Sequence, residues 1–265
     1  MKIITFAAIK GGVGKTTLTF NFGEWLSRQN KNVLLIDSDH QCSLTQTYDI
    51  YRNNGTLADV FDRRSTTQPE IIRIHKNLSL LPASLNLDVI NNDLQTRTNK
   101  ELLMYLWFSD HYKTMFSHFD YVLIDCHPDF STITQNMIAI SDFIFSPIEP
   151  SEYGFIAKTN LELRMDQFRK DIQNVQTRES LITAKLLFIG NRIKHNTNSS
   201  REFSDAILKD KRTIALVPDR ELFNRSTLTH TPLAAFESDT SLSESNRKLL
   251  SEVDQIFHTF IASTE

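Results

Sequence analysis

Hydrophobic residues along this chain fall into short near-continuous runs, separated by stretches in which they recur every three or four positions. The runs at 3–9, 32–37, 78–82, 121–125, 143–147, 184–190 and 213–217 predict strands. Several are apolar throughout, as parallel strands covered on both faces must be. Residues 16–29, 102–117, 157–175 and 199–209 predict helices between them. The stretch 241–262 predicts a closing helix, because Leu242, Leu249, Val253, Ile256, Phe257 and Phe260 recur close to a helical period. This alternation predicts an α/β fold: a doubly wound, mostly parallel β-sheet flanked by helices on both faces. Polar stretches at 51–55, 62–69 and 191–200 predict surface loops too short to link domains, so residues 1–265 are expected to form a single domain.

Composition narrows the classes without choosing one. The 265 residues are 40% hydrophobic and 23% charged, ordinary for a globular chain with a sizeable core. A formal net charge of −3 gives no global basic field, so any contact with nucleic acid needs a local patch. Two distant cysteines, Cys42 and Cys126, predict a reducing compartment and no disulfide framework. A zinc centre is not expected: His40 and Cys42 are close, but no second ligand pair stands at metal-binding spacing. No apolar run approaches the roughly 20 residues that cross a bilayer. The chain opens directly on a core strand, so the expected location is cytoplasmic.

The sharpest motif follows the first strand: Lys10-Gly11-Gly12-Val13-Gly14-Lys15-Thr16-Thr17. A loop wrapped around a triphosphate aims many backbone N–H groups inward, and Gly11, Gly12 and Gly14 keep side chains out of the way. The helix expected to begin near Lys15 turns its positive end toward the same phosphates. Lys15 can reach the β- and γ-phosphates, and the Thr16 hydroxyl can ligate Mg²⁺. The usual spacing G-x-x-x-x-G-K-[ST] is absent. The string is instead the deviant Walker A form of a P-loop NTPase, with an extra lysine, Lys10, in front.

Carboxylates follow at the ends of later strands. Asp37 and Asp39 sit two residues apart just past the second run, where open α/β sheets bind ligands. One can hold Mg²⁺ through water and the other can orient a water against the γ-phosphate. The strand 121–125 ends in Asp125, the Walker B layout, which places an acid near Mg²⁺. Asn191 ends another strand, and its amide offers donors and an acceptor suited to the edge of adenine.

Taken together, FAAIKGGVGKTT, VLLIDSDHQCSLT and DYVLIDCHPDFS resemble the opening, the D-x-D segment and the Walker B segment of the ParA/MinD superfamily of deviant Walker A ATPases. SPIEPSEYGFIA, GNRI and VPDRELF resemble its later segments more loosely. The best likeness is to stand-alone, Soj-like ParA-type partition proteins. The resemblance implies that ATP and Mg²⁺ are the cofactors, with 1–265 a single ATPase domain of weak basal activity. It implies that Lys10 reaches the nucleotide of a second copy, that Asp39 positions the hydrolytic water and that Asp37 stands near Mg²⁺. It also implies that Asn191 reads adenine, with Pro218 and Asp219 flanking the base, and that Gly11 to Thr17, Val13 included, bind phosphate. His40 and His127 stand where the family usually has proline, and no role is assigned to either.

The implied function is DNA partition. An ATP-bound homodimer would coat DNA non-specifically, as a nucleoid-associated cytoplasmic protein, until a ParB-like centromere-binding protein stimulates hydrolysis. Candidate phosphate contacts are Arg192, Lys194, Arg201, Lys209, Lys211, Arg212, Arg220, Arg225, Arg247 and Lys248, densest at 209–212. The alternative is a MinD-like membrane-associated positioning ATPase, which needs a basic amphipathic tail. Residues 251–260 contain no Lys or Arg, so their apolar side chains are expected to pack on the body and no membrane partner is expected. An iron–sulfur reductase is disfavoured because Cys126 stands one residue past the Walker B acid.

Overall fold

The computed structural model describes residues 1–195 and 197–265. One sheet holds β1 (Lys2–Phe6), β2 (Val33–Asp37), β3 (Ile72–His75), β4 (Leu78–Leu81), β5 (Tyr121–Asp125), β6 (Phe143–Ile148), β7 (Lys185–Ile193) and β8 (Thr213–Pro218). Their order across the sheet is β3-β4-β2-β5-β1-β6-β7-β8. Among the described residues, only the β3–β4 pair at one edge of this sheet is antiparallel. The helices are α1 (Lys15–Arg28), α2 (Ser43–Gln46), α3 (Ala58–Phe61), α4 (Leu87–Asp93), α5 (Leu103–His111), α6 (Thr132–Ala139), α7 (Glu152–Asp171), α8 (Asn198–Ile207), α9 (Glu221–Leu228) and α10 (Glu244–Ala262). This is the doubly wound, mostly parallel arrangement expected from the alternation of runs.

Successive strand residues feed opposite cores, as the pleat demands. Ile3, Leu34, Val122 and Ile144 enter one core with residues of α5, α6, α7 and α8. Ile4, Leu35, Leu123 and Phe145 enter the other with α1 and α10. There Phe22 and Trp25 of α1 meet Phe257 of α10, and Phe260 lies 5.3 Å from Phe22 and 5.2 Å from Phe145 by ring centroids. The apolar face of the closing helix is therefore buried against the protein, as its pattern predicts.

Element boundaries differ from the sequence reading for local reasons. The first run leaves the sheet after Phe6, because the backbone beyond must turn to form the glycine loop. Helix α7 begins five residues early, where the Ser151 hydroxyl accepts from Gly154 N at 3.0 Å and caps it. Gly154 has no tolerable substitute there, since a Cβ would lie 2.3 Å from the Glu149 carbonyl oxygen. The helix at 102–117 ends its α-helical part at His111 and closes with a wider turn over Tyr112–Phe116. The expected loop at 191–200 is mostly ordered structure: β7 continues through Ile193 and α8 starts at Asn198, with Asn196 outside the described residues. Strand β3 has no apolar run of its own, because as an edge strand it only half-buries alternate residues.

Candidate nucleotide site

The strand order fixes what stands beside the glycine loop. Strand β1 lies between β5 and β6, and β2 lies beyond β5. The register pairs Phe6 with Asp125 and Asp125 with Asp37, so the ends of β1, β5 and β2 lie side by side. All release their chains at the C-terminal edge of the sheet, where open α/β folds bind ligands. The Walker A string, both strand-end acids and Asp39 are thus gathered by topology from positions far apart in sequence.

Gly12 and Gly14 adopt φ of 74° and 93°, in the left-handed region that excludes most side chains. A Cβ on Gly14 would also stand 2.4 Å from Asn191 Nδ2. Helix α1 begins at Lys15, as the motif predicts, so its free N–H groups face the loop. Lys15 is buried, and the Thr16 hydroxyl donates to Asp125 Oδ2 at 2.6 Å.

The three carboxylates differ in surroundings. Asp37 accepts from the Thr45 amide at 2.8 Å, the Thr45 hydroxyl at 2.7 Å and the Asp39 amide at 3.1 Å. Full burial outweighs these bonds and pushes its pKa up to about 6. Burial, and then the neighbouring Asp37 charge, hold the Asp125 carboxyl well above the usual range, although Lys15 and the Thr16 hydroxyl oppose the shift. The Asp125 Oδ1 atom is buried without a hydrogen-bond partner. Asp39 accepts from the Gln41 amide at 2.9 Å and from His127 Nδ1 at 2.9 Å. Ser38 between them donates both its amide and its hydroxyl to the Asp125 carbonyl, which locks the β2 exit onto β5.

A carboxylate oxygen orphaned inside protein, beside a second acid raised by burial, is a site short of positive charge. The donor set (Thr16 hydroxyl, Asp37 and Asp125) is all oxygen, which suits Mg²⁺.

On the far side of the loop, Asn191, Pro218 and Asp219 line one pocket with Gly14, Thr17 and Phe223. The Asn191 Nδ2 donates to the Val13 carbonyl at 2.7 Å, so this amide ties the loop to β7 and keeps its oxygen to offer. In front of the loop, Lys10 pairs with Glu149 of its own chain and lies 5.9 Å from the exposed Tyr153 ring centroid. Sequence reasoning missed Glu149, Thr45 and Phe223. The position of Glu149 just past β6, the strand beside β1, was the available signal for it.

A family description of an AAA domain matches residues 1–180. The chain belongs to this AAA-domain family. Its likeness to ParA and Soj proteins stands on the same match and on curated relatives. The Bacillus subtilis sporulation initiation inhibitor protein Soj is 30% identical over 165 residues, 58% of this chain and 60% of Soj. The Myxococcus xanthus chromosome partitioning protein ParA is 25% identical over 175 residues, 64% of this chain and 60% of that protein. Against an uncharacterized Mycobacterium tuberculosis relative the match spans 52% of its length, so the chain covers between half and two thirds of these relatives.

Among solved structures, Cyanothece McdA in complex with ATP superposes with a TM-score of 0.81 at 20% identity, covering 98% of this chain and 96% of McdA. A Borrelia burgdorferi plasmid partition protein bound to AMPPNP gives 0.76 at 22%, covering 98% of each chain. Cobyrinic acid a,c-diamide synthase from Mycobacterium smegmatis gives 0.68 at 20%, covering 87% and 91%. At such identities these neighbours establish the fold alone, the doubly wound, mostly parallel sheet described above.

The basic residues of this AAA-domain chain are not equivalent. Arg212 is engaged with Asp210 and Glu162, and its guanidinium carbon lies 5.0 Å from the Phe188 ring centroid. Lys158 bonds the same two acids and lies 4.3 Å from the same ring. Arg225 covers the Phe236 ring at 4.8 Å. Lys194, Lys209 and Lys211 are exposed. The cluster at 209–212 is thus split: Arg212 is exposed but tied to two acids, whereas Lys211 is exposed and makes no ion pair among the described residues. Among the described residues no helix is long and apolar enough to cross a membrane.

Proposed function

We propose that residues 1–265 act as one ATPase domain that partitions DNA, switched by ATP binding and slow hydrolysis. One observation carries the reading: a deviant Walker A loop stands at the sheet edge with three buried carboxylates beside it and a second lysine in front. Gly11, Gly12, Val13, Gly14, Lys15, Thr16 and Thr17 cradle the phosphates. Thr16, Asp37 and Asp125 hold Mg²⁺, which supplies the countercharge that the orphaned Asp125 oxygen lacks. Asn191 offers its oxygen to adenine, Pro218 and Asp219 flank the base, and Phe223 is placed to pack on it.

The carboxylate of Asp39, fixed by Gln41 and His127, orients a water toward the γ-phosphate. Lys15 and Lys10 stabilise the charge that develops there. Lys10 is held by Glu149 in its own chain, which supports a low basal rate: the lysine must leave that partner before it reaches the nucleotide of a second copy. The ATP-bound homodimer then presents paired basic faces to DNA phosphates, and a ParB-like partner triggers hydrolysis and release. The burial of Phe257 and Phe260 in the body supports DNA rather than membrane as the ATP-dependent surface.

The deciding experiment sediments the protein with DNA, and separately with anionic liposomes, with and without ATP and Mg²⁺ at two salt concentrations. Retention on DNA that requires ATP and weakens with salt is expected. Equal retention without nucleotide, capture by liposomes instead, or a protein that stays monomeric with a non-hydrolysable ATP analogue overturns the reading.

A further inference from the structure

Two histidines, 40 and 127, come from separate loops to stand beside Asp39. One candidate ligand atom from each of Asp39, His40 and His127 lies within 4.8 Å of the others. Their imidazole rings stand 4.3 Å apart by centroids, tilted by 39°. His127 Nδ1 is already against Asp39 Oδ1, across 88 positions of sequence. We propose that Asp39, His40 and His127 form a second cation site beside the phosphate loop, one that takes a divalent transition metal ion of the Zn²⁺, Co²⁺ or Ni²⁺ kind.

The geometry is near what such an ion needs. Donors about 2.1 Å from a tetrahedral centre stand about 3.4 Å from one another, so no pair here must close by more than about 1.4 Å. Short anchored turns carry both rings. The Cys42 amide bonds the Asp39 carbonyl at 2.9 Å, and the Asp129 amide bonds the His127 carbonyl at 2.8 Å, so ligand positions are held by backbone. Both rings are half-buried and open to solvent for entry of an ion.

Ligand chemistry separates this site from the one that Thr16, Asp37 and Asp125 make. Imidazole nitrogens favour borderline transition metals, whereas Mg²⁺ prefers oxygen and dehydrates reluctantly. Two histidines and one carboxylate leave at least one coordination position free for water or a phosphate oxygen. Local spacing conceals this set, because the second histidine comes from the loop after β5, three strands after β2 in the chain and adjacent to it in space.

A consequence follows for the switch, and it rests on the ATPase reading above. A metal ion on Asp39 engages the oxygen that would otherwise orient water, so it slows hydrolysis without displacing nucleotide.

Titration of the nucleotide-free, Mg²⁺-free protein with Co²⁺ tests the site itself. The expected result is a visible d–d band at one ion per chain, displaced by Zn²⁺ and unaffected by excess Mg²⁺. His40→Ala and His127→Ala should each weaken Co²⁺ binding at least about tenfold, and His40→Gln serves if His40→Ala unfolds, with circular dichroism as the folding control. Equal Co²⁺ affinity in wild type and both variants, or displacement by Mg²⁺, overturns the site. ATP hydrolysis is then measured with and without Zn²⁺ at saturating Mg²⁺. Inhibition of wild type that is lost in His40→Ala supports the regulatory consequence, and equal inhibition of both overturns it. A protein that binds Co²⁺ as described but hydrolyses no ATP even without Zn²⁺ counts against the ATPase reading and leaves the metal site standing.

Discussion

Asp37 makes the metal-free protein sensitive to pH in a direction opposite to that of a salt-bridged acid. Unfolded, its carboxyl ionises near 3.8; folded, burial pushes it up to about 6. Between those pH values the native state keeps a proton that the unfolded chain has lost, so stability falls as pH rises through the window. A gap of about two units corresponds to about 3 kcal/mol, fully expressed above the folded pKa. The perturbation is Asp37→Asn, which removes the titration. Its three hydrogen bonds are imperfectly replaced, but that loss does not change with pH. Removing the Asp37 charge also relieves Asp125, which adds in the same direction. The assay is urea unfolding in EDTA, without nucleotide, at steps from pH 4 to pH 8. The variant should gain about 3 kcal/mol relative to wild type across that range. Parallel curves for the two proteins would refute the claim that Asp37 is held against its charge.

Further expectations are as direct. Phe260→Ala removes a fully buried ring that touches Phe22, Phe145 and Phe257 and should cost about 3–5 kcal/mol by urea unfolding, without creating liposome binding. Gly14→Ala meets both a left-handed backbone, worth about 1–2 kcal/mol, and the Asn191 amide, so calorimetry should find binding of a non-hydrolysable ATP analogue abolished while circular dichroism stays native. Lys211→Glu should weaken DNA sedimentation at low salt with little change in the unfolding midpoint. Arg212→Ala should lower stability by about 1 kcal/mol through its lost packing on Phe188 and its two acids, so only the lysine variant reports on DNA.

The sequence carried the sheet and the chemistry wherever a residue's type and its neighbours in the chain sufficed. The glycine string, the acids at strand ends and the apolar stripe of α10 are of this kind, since each follows from local spacing. The positions of Glu149, Thr45 and Phe223 are not, because their roles arise only when β6, α2 and α9 are placed around β1 and β2. The histidine pair shows the same limit: residues 40 and 127 meet only because β2 and β5 are neighbours. Arg212 shows the reverse error. Counted with nearby lysines it reads as free surface charge, whereas the fold, while leaving it exposed, pairs it with Glu162 of α7. Strand β3 and helices α2, α3, α4, α6 and α9 were not predicted, being short elements whose burial is supplied by tertiary neighbours.

Trp25 and Asp254 share a 2.9 Å hydrogen bond across 229 positions, inside the aromatic contact that joins α1 to α10. During synthesis the first helix therefore emerges long before its cover exists. Until α10 is made, the ring faces of Phe22 and Trp25 stay wet, and a stalled or truncated chain carries a sticky stripe next to its glycine loop. Nascent chains of this protein should depend on holding factors until α10 has been made, and competence to grip a triphosphate should arrive abruptly with that helix rather than gradually with chain length.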